Sequence, residues 1–181
     1  MQGQGGDGST EDTPCDPRVP GVNARACTMR IAEFLSPQAV NAELTARTKA
    51  DALRELSEAL ARAHPDLQAD RLVEVLQERE KLGSTGIGEG VAIPHGKLNG
   101  LPQLLASFGV SRQGIDFDAI DGKPTHLFFT LVAPENSAGT HLKALARISR
   151  LFKSPGFRQA ILEATSAQQI YDLIAQEDAK S

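Results

Sequence analysis

The stretch Ser84-Thr85-Gly86-Ile87-Gly88-Glu89-Gly90-Val91-Ala92-Ile93-Pro94-His95-Gly96 constrains this chain more than any other. Gly86, Gly88 and Gly90 allow a tight bend and a close backbone approach to a ligand. Val91, Ala92 and Ile93 read as a short buried extended segment. Pro94 fixes its own φ and keeps Ile93 extended, so the place where His95 emerges is defined. A neutral imidazole at such a place is a competent nucleophile near neutral pH. A histidine that merely ends a strand is the blander reading, and the surrounding residues decide between the two.

The chain has 181 residues, which suits one domain plus an extra segment. Residues 1–28 are rich in Gly, Pro, Asp and Thr without apolar periodicity, and are expected to be a disordered N-terminal tail. Met29 opens the apolar pattern and is a candidate for the true start, with the domain expected over residues 29–177. Leu53, Leu56 and Leu60 recur at helical spacing, predicting an amphipathic helix over Thr45–Ala63 that Pro65 ends. A second helix is expected from Asp66 or Asp70 to about Lys81, stopped by Gly83. Strands are predicted at Leu104–Val110 and at His126–Val132, the latter apolar on both faces and therefore central. Three helices follow: one capped by Thr140, one opened by Ser154-Pro155, and one from about Ser166 to Ala175. Strands interleaved with helices define an α/β single layered domain.

The composition excludes several functions. The net charge is −4, from 19 basic and 23 acidic residues, and no basic patch suited to nucleic acid is visible. Apolar runs fall far short of the roughly 20 residues that a membrane helix needs. Cys15 and Cys27 both lie in the tail and argue for no oxidising compartment; the N-terminus lacks a secretory pattern, so a cytoplasmic location is expected. A dinucleotide fingerprint fails because Val91 stands where its third glycine belongs. A P-loop fails because Leu98 stands where a magnesium-binding Ser or Thr belongs. His64, His95, His126 and His141 lack metal-ligand spacing and cysteine partners. No serine nucleophile elbow exists. Neither cofactor nor metal is expected.

What remains is a histidine that carries a group. Phosphoryl transfer through histidine needs a bare ring nitrogen, one or two donors for the phosphoryl oxygens, and a setting that a partner can reach. Arg79 ends the second helix just before the glycine turn and is a candidate cation. His141 lies in the first turn of the helix after the central strand, where free N–H groups favour an anion. Glu89, in the glycine turn, is a candidate to steer Arg79 through a bidentate pair. Each residue alone has a plainer reading, as a helix-end cation, a capping-region side chain or a turn carboxylate.

Together these residues resemble the type-2 enzyme IIA family of the bacterial phosphoenolpyruvate-dependent phosphotransferase system. The resemblance runs from about Met29 to Gln176 and is most specific over Arg79-Glu80-Lys81-Leu82-Gly83-Ser84-Thr85 through His95-Gly96-Lys97. Ile115-Asp116-Phe117-Asp118-Ala119-Ile120-Asp121-Gly122 and Thr140-His141-Leu142-Lys143-Ala144-Leu145-Ala146 fit the pattern as well. The resemblance implies a mixed β-sheet flanked by helices and a protein-histidine phosphotransferase activity. It makes His95 the phosphoryl acceptor, as a tele-phosphohistidine, with His141, Arg79 and Glu89 as its companions. The implied donor is the small carrier HPr or a nitrogen-branch equivalent. The Ser-Thr-Gly-Ile-Gly and Phe-Asp-Ala-Ile-Asp wording is most similar to the nitrogen-regulatory branch. Two alternatives stay open. One is a sugar-specific IIA component that passes phosphate to a separate IIB for fructose or mannitol. The other is a purely regulatory module whose phosphorylation state is read by a kinase, a sensor or a potassium transporter.

Overall fold

The computed structural model describes residues 29–180. The expected tail over residues 1–28, with Cys15 and Cys27, lies outside the described residues. After a single turn of 3-10 helix at Ile31–Glu33, the chain forms β1 (Leu35–Asn41), α1 (Lys49–Ala63) and α2 (Ala69–Lys81). Three short strands follow: β2 (Gly86–Gly88), β3 (Val91–Ala92) and β4 (His95–Leu98). Two long strands come next, β5 (Leu105–Ile115) and β6 (Thr125–Pro134), and then α3 (Ala138–Leu151), α4 (Pro155–Glu163) and α5 (Ala167–Ala179).

The sheet is mixed, in the order β1-β5-β6-β3-β2, with β4 also pairing with β6. β5 and β6 run antiparallel, whereas β3 and β4 both run parallel to β6. Val91 faces Leu127 and His95 faces Leu131, so β3 and β4 lie along one line in a single register. Only Ile93-Pro94 interrupts the line, and there the Leu131 N–H donates to the Pro94 carbonyl at 2.9 Å. The expectation that the second strand is central holds: β6 has partners on both sides and is buried along nearly its whole length.

Side chains of a strand alternate between the two faces of its sheet. On β6, Leu127, Phe129, Leu131 and Ala133 join α3, α4 and α5 in one core cluster, with Ile148, Phe157, Ile161, Ile170 and Ile174 opposite them. Phe128 and Val132 face the other way, toward Leu53, Leu56, Leu60, Leu72 and Leu76 of α1 and α2. The domain is thus a three-layer sandwich. By the same alternation, Ile93 and His95 look toward the α3 layer while Ala92 and Gly96 look toward α2.

Helix starts follow capping chemistry. Ser154 and Ser166 accept the amides of Phe157 and Gln169 at 3.3 and 3.2 Å, as the sequence predicts. Two expected starts shift. α1 begins at Lys49 because Thr48, not Thr45, accepts the Asp51 amide at 3.2 Å. Thr45 instead donates its N–H and hydroxyl to the Glu55 carboxylate. α3 begins at Ala138 after Ser137, so Thr140 lies inside the helix rather than capping it.

Candidate active site

The glycine-rich segment folds as a hairpin. β2 and β3 pair antiparallel, joined by the two-residue turn Glu89-Gly90. Both turn residues have positive φ, 56° at Glu89 and 79° at Gly90. That is the geometry a two-residue hairpin needs, because its twist matches the twist of the strands. Asp121 ties the hairpin tip to the loop before β6, accepting the Glu89 amide at 2.8 Å and the Lys123 amide at 3.0 Å. These two backbone bonds, the Glu89 one foremost, hold the Asp121 carboxyl below its ordinary pKa. Further along, a Cβ on Gly96 would sit 2.5 Å from Val75 Cγ1. Bare glycine therefore lets β4 press against α2 and sets the height at which His95 stands.

His95 opens β4 and is partly exposed. Its Nδ1 lies 2.7 Å from the Ile93 carbonyl oxygen. A carbonyl only accepts, so Nδ1 carries the proton and Nε2 keeps a free lone pair. Burial, first among the causes, lowers the His95 pKa; the positive charge of Arg79 lowers it too, against the Ile93 bond and the Glu80 carboxylate, which raise it. The ring is neutral at pH 7, as a nucleophile must be.

His141 stands beside it on α3, with ring centroids 5.5 Å apart and planes at 71°. It is buried, and its Nε2 has no hydrogen-bond partner. A buried polar nitrogen without a partner is costly and calls for an explanation. Burial first, then the nearby His95 and Lys97, push the His141 pKa down to about 4. Its backbone N–H is already bonded to the Ser137 carbonyl at 2.8 Å, so the side chain, not that amide, is what His141 offers an anion. Among the described residues no third histidine, cysteine or carboxylate joins the pair in a metal-sized cluster.

Arg79 occupies the last turn of α2, donates to the Gly83 carbonyl at 2.9 Å, and sends its charge to His95. The expected pair between Glu89 and Arg79 is not formed. Glu89 sits at the exposed hairpin tip and meets Arg158 of α4 at 3.1 Å. Each has another partner: Arg158 meets the Glu89 carboxylate at the hairpin tip, and the Gly83 carbonyl accepts from Arg79.

The acidic residue that does reach the root is Glu80, which the sequence reading passed over. Its side chain is 5% exposed and contacts Lys49 Nζ at 2.8 Å. It accepts the Thr85 N–H at 3.2 Å and the Thr85 hydroxyl. A signal was present: Leu72, Leu76 and Glu80 are spaced by four, which puts a carboxylate on the buried stripe of α2.

Comparison with known proteins identifies the family of this chain. Residues 33–177 match the family described as the phosphoenolpyruvate-dependent sugar phosphotransferase system, EIIA 2. A nitrogen regulatory protein of Bradyrhizobium diazoefficiens is 43% identical over 148 residues, covering 81% of this chain and 95% of that protein. A fructose-specific EIIABC component of Bacillus subtilis is 36% identical over 150 residues, 83% of this chain but 24% of that longer protein. The crystal structure of nitrogen regulatory protein IIA-Ntr from Neisseria meningitidis superposes with a TM-score of 0.74 at 35% identity, covering 80% of this chain and 98% of that one. The chain belongs to the type-2 EIIA family of the phosphotransferase system. Membership makes it a phosphocarrier component, and among the described residues no helix is long and apolar enough to cross a membrane.

Proposed function

We propose that this protein is a nitrogen-regulatory IIA phosphocarrier that takes a phosphoryl group onto His95 Nε2. The observation that carries the reading is the bond from His95 Nδ1–H to the Ile93 carbonyl, which leaves Nε2 as the free nucleophile. The donor is a phosphohistidine on HPr or on a nitrogen-branch HPr-like carrier. The Nε2 lone pair attacks phosphorus, the P–N bond to the donor ring breaks, and the donor imidazole leaves with that electron pair. His141 donates a hydrogen bond from its unpartnered Nε2 to a phosphoryl oxygen, which gives that buried nitrogen its missing partner. Arg79 supplies positive charge to the incoming phosphoryl group. Glu89 acts at a distance from the chemistry, holding the hairpin tip against α4 through Arg158.

The surroundings favour a protein donor over a small molecule. Among the described residues, the large hydrophobics with the greatest exposure are Leu82, Ile87, Ile120 and Leu142. Leu82 caps the helix of Arg79, Ile87 lies in the hairpin, and Leu142 follows His141. Ile120 is fastened to the hairpin by its N–H bond to the Gly86 carbonyl at 3.2 Å. Exposed apolar residues on the elements that carry the site suit docking of another protein's face. This chemistry belongs in the cytoplasm, where phosphoenolpyruvate is made and used.

Incubation with labelled phosphoenolpyruvate, enzyme I and HPr tests the reading. Wild-type protein takes up label and His95→Ala does not; label on His95→Ala overturns the assignment. The match to a fructose-specific EIIABC component favours one other reading, a sugar-specific IIA that hands phosphate to a separate IIB. Loss of label from the phosphorylated protein to a fructose or mannitol IIB domain would select that reading.

A further inference from the structure

We propose that Glu80, clamped by Lys49, is a positioning residue that aims the reactive nitrogen of His95 through Thr85 and Ile93. The proposal rests on His95 being the phosphoryl acceptor. Four contacts run without a gap from α1 to the imidazole. Lys49 Nζ lies 2.8 Å from the Glu80 carboxylate. That carboxylate receives the N–H of Thr85 at 3.2 Å, together with the Thr85 hydroxyl. The Thr85 carbonyl accepts the Ile93 N–H at 3.0 Å. The Ile93 carbonyl accepts the Nδ1–H of His95 at 2.7 Å.

Each link has a physical task. Burying a carboxylate is expensive unless its oxygens are partnered, and the nearly covered Glu80 side chain is partnered by Lys49 and by Thr85. The three donors hold it in one place, so Thr85 has one place as well. Thr85 then fixes Ile93 from its N–H side, while Pro94 fixes it from the other side by its restricted φ. The carbonyl between them is the group that selects the His95 tautomer, as an outer partner selects the tautomer of a histidine ligated to a metal.

Lys49 is not spent on Glu80 alone. It also lies 3.4 Å from the exposed Asp118 and 4.8 Å from the centroid of the Phe117 ring. Its position at the first turn of α1 is therefore set from several directions. A purely structural role for Glu80, as glue between α1 and α2, predicts only a loss of stability when it is changed. An aiming role predicts a change at the ring itself. The charged and titratable groups that act on that ring are Arg79 and Glu80 from α2 and His141 from α3, with Lys97 of β4 acting on His141. Removing the Glu80 charge takes away an influence that raises the His95 pKa, so that pKa falls further.

The test uses the full chain and four variants, Glu80→Gln, Lys49→Met, Thr85→Val and Thr85→Ser. Nitrogen-15 NMR of the His95 ring reads its tautomer and pKa, and transfer from phosphorylated HPr gives kcat and KM separately. The expected result in Glu80→Gln is a mixed tautomer, a lower His95 pKa and a kcat reduced by roughly 10- to 100-fold with KM little changed. Lys49→Met shifts the tautomer in the same direction. Thr85→Ser retains the wild-type tautomer and Thr85→Val does not. If Glu80→Gln does not fold, the contrast between the two Thr85 variants decides. A folded Glu80→Gln with the wild-type tautomer and kcat overturns the proposal, as does a Thr85→Val ring identical to that of Thr85→Ser. The NMR readouts need no phosphoryl transfer. Failure of wild-type protein to accept phosphate would thus refute the assignment of His95 separately from the aiming role.

Discussion

The strand edge that carries His95 and the helix start that carries His141 place two imidazoles 5.5 Å apart and treat them in opposite ways. His95 is partly exposed and has one nitrogen tied to a backbone carbonyl, so the other nitrogen is free and its character is fixed. His141 is buried and has its Nε2 left without a partner. The first arrangement suits the nucleophile of the proposed transfer, because it settles which nitrogen is free. The second suits the donor of the proposed transfer, because a phosphoryl oxygen would relieve the cost of the unpaired nitrogen. The same side chain thus stands in two settings, and the difference comes from which backbone supports it.

If that contrast is right, the two rings cannot exchange roles. His95→Ala abolishes phosphorylation altogether, with no label moved to His141; mass spectrometry of peptides from the reacted variant checks this. His141→Ala keeps its fold and its label but accepts phosphate about 100-fold more slowly, the usual cost of losing one donor to a developing charge. Stopped-flow transfer from phosphorylated HPr measures that rate. A Cβ on Gly96 would force β4 away from Val75. Gly96→Ala therefore destabilises the domain by about 1–3 kcal/mol, as overpacking does, and displaces His95 without touching His141. Urea titration with NMR of both rings separates the two effects.

The histidines also give stability a pH dependence of definite sign. The folded His141 pKa, about 4, lies below its ordinary value of 6.5, and that of His95 is lowered too. As pH falls through 6.5 the unfolded chain takes up protons that the folded chain refuses. The contribution is complete above that pH, is lost progressively down to about 4, and then levels. Thermal melts from pH 8 to pH 4 should show this loss, with a shallower slope in His141→Ala; equal slopes would remove His141 from the account. The smallest effect is expected at the hairpin tip. Glu89→Gln removes the charge of an exposed carboxylate paired with Arg158 and should alter the transfer rate by less than about fivefold.

Much of the fold was legible because its signals are local. Ser154, Ser166 and the apolar run of β6 announce their elements within a few residues. Three strands were not legible, the first being β2, whose Gly86-Ile87-Gly88 reads as a bend. β1 contains Pro37, which its place at the edge of the sheet tolerates, and a register shift between Leu35 and Val40 that blurs its alternation. β4, His95-Gly96-Lys97-Leu98, has little propensity of its own and is strand because β6 offers it a partner in register. At the site, the motif names His95, His141 and Arg79, and the structure brings their influence together. It could not show that Glu89 would turn outward while Glu80 turned in. That outcome depends on Arg158 of α4, which meets Glu89, and on Lys49, which lies 31 positions before Glu80 and meets it only once α1 packs on α2.

The central claim concerns one nitrogen atom. Long-range nitrogen-15 NMR of the phosphorylated protein identifies which ring nitrogen of which histidine bears the phosphoryl group. The account predicts phosphorus on His95 Nε2 with Nδ1 still protonated and bonded to Ile93. Phosphorus on His95 Nδ1, or on His141, would contradict it.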